Sequence, residues 1–170
     1  GLVPIEDMER EMIRAVLDNF LLAIWQDNLE VEIGDHRITK TSLGLYAESL
    51  PVEKTAGSPH HKEYYEENRM IQRYARMLLG EDEATQQIEL DAEEYGAKYG
   101  FPDGAATLFL TRGEGLNRRI LMSRHIGMKL FEQKGFPSGI DFTGIFIIKE
   151  NAMGQAFRRI EVPSHDAWEP

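Results

Sequence analysis

The chain contains no cysteine. That one absence removes thiol nucleophiles, thiolate zinc sites, iron–sulfur clusters and disulfide frameworks together, and it fits a reducing cytoplasm, the compartment expected. Long apolar runs are also missing. Nothing approaches the ~20 residues that cross a bilayer. The opening "GLVPIEDMEREMIRAV" is acidic where a secretory signal would be basic, so no membrane partner is expected. Positive charge is scarce: 19 Lys and Arg stand against 29 Asp and Glu, for a net charge of −10. Such a chain repels a polyanion, because nucleic-acid affinity rests on cations that displace phosphate counterions. Its basic residues come in pairs (Arg118 with Arg119, Arg124 with Lys129, Arg158 with Arg159) rather than as a stripe. Nucleic acid is therefore not an expected partner. Internal repeats and low-complexity tracts are absent.

What is present reads as one α+β domain over residues 1–170, helices first and a mostly antiparallel sheet afterwards. Residues 1–27 form an N-terminal helix, 28–80 a hairpin and helices, and 84–162 a β-rich part. In the first helix Ile5, Met8, Met12, Ile13, Val16, Leu17, Phe20, Leu21 and Ile24 fall at helical spacing, with Pro4 in the first turn and Glu6 and Asp7 at the positive end of the dipole. "LEVEIGDHRIT" alternates and turns at Gly34-Asp35, as a tight hairpin does. Residues 41–50 make a short helix with a Thr/Ser cap that stops before Pro51, and 51–59 make a loop. The helix beginning in "HHKEYYEENRM" ends at Gly80. Further on, strands are separated by turns at Gly113-Glu114-Gly115 and near Gly127; "FTGIFIIKE" is a more buried strand, and "QAFRRIEV" is one more.

Few residues suggest chemistry. His60-His61, followed by Glu63, Glu66 and Glu67, has the density of a metal site. Adjacent histidines diverge by about 100° around a helix, however, and no pair stands one turn apart, so no metal site is expected. "DFTGIF" and "FPDGAATLF" are neither a P-loop nor a dinucleotide fingerprint. His165-Asp166 could head a small hydrolase, but Ser164 is not set in a nucleophile elbow and no rigid support surrounds the pair, so no catalytic residue is assigned. The best place for an anion or a partner's carboxylate is the strand–turn–strand "NRRILMSRHIGMKLF". There Arg124 shares a face with Ile120 and Met122, and Gly127 allows a turn that brings Lys129 close, with Arg118 and Arg119 nearby. The alternative for these cations is a salt bridge to one of the chain's own acids.

Two stretches, "AVLDNFLLAIWQDNLEVEIGDHRIT" and "GLNRRILMSRHIGMKLF…FTGIFIIKENAMGQAFRRIEVPSHDAWEP", resemble the region that follows the nucleotide-binding domain in bacterial ATP-binding proteins of the GHKL superfamily, to which gyrase-like, chaperone-like, mismatch-repair and MORC-type ATPases belong. The resemblance implies a transducer-like domain related to the second domain of a small-subunit ribosomal protein, and a chain that is a fragment of a larger one, in keeping with its start at Gly1. The superfamily's Asn-bearing helix and D-x-G-x-G turn are not intact here. The implied function is thus a non-catalytic regulatory module that relays nucleotide state. ATP and Mg²⁺ would sit in the parent protein and no cofactor in this chain; the partner would be the ATP-binding domain of the same parent chain. The alternative is a protein-interaction module that docks a partner, or a second copy in a homodimer, through the amphipathic N-terminal helix and its Phe20/Trp25 face.

Overall fold

The structure, a computed structural model, describes residues 1–54, 61–91, 93, 100–149 and 153–155. His60, His165, Asp166, Arg158, Arg159 and all but the first residue of "QAFRRIEV" lie outside the described residues, and so do the expectations placed on them.

Helix α1 spans Asp7–Trp25 and turns Ile13, Leu17, Leu21 and Ile24 inward, one every three or four residues. Pro4 stands upstream of the helix rather than in its first turn. The cap is Glu6, whose amide is accepted by the Glu9 carboxylate at 3.1 Å. Strands β1 (Val31–Ile33) and β2 (His36–Ile38) pair antiparallel across the two-residue turn, where Gly34 has φ +54°. Helix α2 covers Leu43–Glu48. The hydroxyl expected to cap it is engaged elsewhere: Ser42 Oγ accepts the Thr39 amide at 2.9 Å and donates to the Arg37 carbonyl at 2.9 Å. It serves the connection from β2 and makes no side-chain cap. Helix α3, Lys62–Leu79, stops at Gly80, whose left-handed φ of +73° lets the Glu81 amide reach back to the Arg76 carbonyl at 3.0 Å.

The remaining strands are β3 (Thr85–Glu89), β4 (Ala106–Arg112), β5 (Arg119–Arg124), β6 (Lys129–Gln133) and β7 (Phe142–Ile148). They form one mixed sheet in the order β3-β4-β7-β5-β6. Three of its pairings are antiparallel; β5 and β7 run parallel. The chain is thus α+β. Strand β7 lies at the centre, in keeping with its nearly unbroken apolar run. At Gly144 a side chain would press Ile120 Cγ1 at 3.2 Å and Leu108 Cδ1 at 3.4 Å, so the glycine serves a close approach of neighbouring strands.

The chain divides into two compact units, Gly1–Glu81 and Asp82–Pro170. Among the described residues, no helix is long and apolar enough to cross a membrane.

Candidate functional site

In the second unit, the basic residues singled out from the sequence are largely engaged within the chain. Arg119 donates to the Glu132 carboxylate at 3.2 Å across the β5–β6 pair. Arg118, with φ +49°, lies 3.8 Å from Asp141, and Asp141 also accepts the Gly115 amide at 3.0 Å. The β4–β5 turn is thereby stapled to the start of β7. Gly127 does make the sharp turn, with φ +83° and its amide on the Arg124 carbonyl at 2.8 Å. The register then sets Lys129 opposite Ser123, past a bulge. Consecutive strand residues point to opposite faces, so the Ser123–Lys129 pair and Arg124 lie on different sides of the sheet. Arg124 and Lys129 both have partners within the chain.

The first unit holds a buried polar hub that the sequence did not reveal. His36 is 2 % exposed. Its Nε2 lies 3.3 Å from Glu9 Oε2 and its Nδ1 3.5 Å from the Tyr46 hydroxyl, with the two rings edge to face at 5.8 Å. A neutral ring satisfies both neighbours if Nε2–H donates to Glu9 and Nδ1 accepts from Tyr46. The available signal was position: in β2 residues 36 and 38 face inward while Arg37 faces out, so strand alternation puts the histidine beside Ile38 in the core.

A second polar set builds a cleft. Asn68, fully buried on α3, accepts from Arg14 Nε at 2.8 Å and donates to the Pro51 carbonyl at 2.8 Å. One turn on, Gln72 donates to the Leu50 carbonyl at 3.0 Å. These bonds fasten the chain leaving α2 to the flank of α3. Beyond the fastening, Val52, Glu53 and Lys54 face His61, Lys62, Tyr65 and Arg69 across a cleft of about 390 Å³. Residues 62, 65 and 69 share one helical stripe. Tyr65 is buried and, with Val52, supplies apolar surface, while the charged residues form the rim. Lys62 keeps a pair with Glu66 at 3.5 Å; Lys54 and Arg69 enter no ion pair among the described residues.

His61 is the N-cap residue of α3 and makes no side-chain cap bond. Among the described residues, no three His, Asp or Glu side chains gather as a metal would require. Phe20 and Trp25 are half-buried, and the large apolar side chains exposed on α1 are Met8 at 74 % and Met12 at 50 %. No family model matches the chain, and neither does any curated protein or solved structure.

Proposed function

We propose that the chain is a non-catalytic regulatory module of transducer type, part of a GHKL-type ATP-binding protein, and that it relays the nucleotide state of the ATP-binding domain in the same parent chain. One observation carries the reading. The resembling residues beyond Gly115 include β5, β6 and β7, which are neighbours in the sheet in the order β7-β5-β6. These strands support the part of the likeness that lies in the second unit; the other resembling stretch, residues 15–39, lies in the first unit and draws no support from the sheet. The finer likeness, to the second domain of a small-subunit ribosomal protein, belongs to the same proposal. ATP and Mg²⁺ are bound by the parent's own nucleotide domain.

The test reads the coding sequence around this chain and titrates the chain itself. The reading expects an Asn-bearing helix and a D-x-G-x-G turn encoded in the same frame. It also expects no Mg²⁺-dependent binding of a non-hydrolysable ATP analogue at a dissociation constant of about 1 μM by calorimetry. A frame without those motifs, or a Mg²⁺-dependent micromolar site on this chain, overturns it.

A further inference from the structure

The chain carries a net charge of −10, yet the described side chains around the α3 cleft include three formal cations, Lys54, Lys62 and Arg69, and one acid, Glu53. The cations come from both walls. Lys54 stands three residues beyond Pro51, the last residue that Asn68 and Gln72 fasten to α3, and Lys62 and Arg69 lie two turns apart on one stripe of α3. Surface cations in an acidic protein commonly meet a carboxylate of their own chain. Arg10, Arg14, Arg37 and Arg76 all do so here. Lys54 and Arg69 do not, among the described residues, and neither do Lys40, Arg73 and Arg112; what sets Lys54 and Arg69 apart is that both line the cleft.

We propose that this cleft binds the phosphate of a small organic phosphate monoester. A guanidinium fork and an ammonium on opposite walls suit a dianion with several acceptor oxygens, while a single carboxylate would leave one of the two cations uncompensated. Val52 and Tyr65 give the base of the cleft an apolar surface, which favours an ester with an apolar body over the bare ion. The volume, about 390 Å³, is in the range of small-molecule sites. This inference is independent of the transducer reading, and it requires no Mg²⁺.

The test follows backbone amide NMR signals of the whole chain titrated with phenyl phosphate, inorganic phosphate and benzoate at low salt. Phenyl phosphate should shift the amides of residues 52–54 and 62–69 saturably, with a dissociation constant on the order of 1 mM. Inorganic phosphate should bind several-fold more weakly, and benzoate about ten-fold more weakly. Lys54→Ala with Arg69→Ala should weaken phenyl phosphate at least about ten-fold, while Lys54→Arg should keep most of the affinity. Both positions are exposed, so circular dichroism of the double variant should match the parent; if it does not, Lys54→Ala alone is read for a weakening of at least about three-fold. Shifts that do not saturate, shifts centred elsewhere, benzoate as tight as phenyl phosphate, or unchanged affinity in the variants each overturn the proposal.

Discussion

At the scale of single residues, type alone misleads and position informs. The histidines that drew attention by density, His60 and His61, include an exposed helix cap and a residue outside the described set. The histidine built into structure is His36, whose sequence neighbourhood offers only strand alternation. Its ring joins three elements: Glu9 on α1, its own strand β2, and Tyr46 on α2. Glu9 comes so close to the turn that a Cβ at Gly34 would collide with its Oε1. His36→Ala removes a buried ring and leaves the Tyr46 hydroxyl without its ring-nitrogen contact. Cavity and unmet hydrogen bond act in the same direction, and we expect a loss of about 2–4 kcal/mol in urea denaturation. A loss below about 1 kcal/mol would show that the hub is filled by neighbouring apolar side chains instead.

At the scale of elements, the strongly periodic segments were legible, and the quiet ones were not. α1, α3 and the β1–β2 hairpin are written in apolar spacing and in the glycines at positions 34 and 80. Strand β3 is not, since Thr85–Glu89 holds one large apolar residue, Ile88, and that side chain is 44 % exposed. An edge strand with little buried on either face has no alternation to read. It is held by its ladder to β4 and by Glu89, whose carboxylate accepts from Lys149 Nζ at 2.7 Å, from Thr107 at 2.9 Å and from Gln87 at 3.0 Å. The Lys149 hydrogen bond, the largest influence, lowers the Glu89 pKa below its ordinary value; burial pushes the other way, and Gln87 and Thr107 add to the lowering. A folded-state pKa below the unfolded one means that the latch contributes fully above the ordinary glutamate range and is lost as pH falls through the lowered value. In a carboxylate NMR titration Glu89 should have its midpoint below that of an ordinary glutamate, and Lys149→Met should move that midpoint upward. An ordinary midpoint in the unaltered protein would remove the latch. The sheet order was hidden for another reason. Burial of β7 could be read from its composition, but its seat between β4 and β5 depends on pairings between residues distant in sequence.

At the scale of the whole molecule, charge decides between two opposing responses to salt. The ion pairs on the described surface, among them Arg10–Asp7 at 2.7 Å and Arg76–Glu48 at 2.7 Å, each contribute little, and added salt weakens them. The net charge of −10 disfavours the compact state through self-repulsion, and added salt relieves it. Distance separates the two. Paired groups stand well inside the ~8 Å Debye length of physiological salt and are screened little, whereas acids spread over a 19.5 kDa surface interact across longer spans and are screened first. Repulsion should therefore fade faster than attraction. We expect the midpoint of thermal unfolding to rise by a few degrees as sodium chloride is raised from about 10 to 300 mM, which corresponds to a gain of about 1 kcal/mol for a chain of this length. A flat or falling midpoint would mean that local pairs outweigh the net charge. Sodium sulfate at matched ionic strength adds a general stabilisation through exclusion from the protein surface, so binding is read from the variant. If the α3 cleft takes divalent anions, the excess of sulfate over chloride should be smaller in Lys54→Ala with Arg69→Ala than in the parent, and an equal excess in both counts against binding.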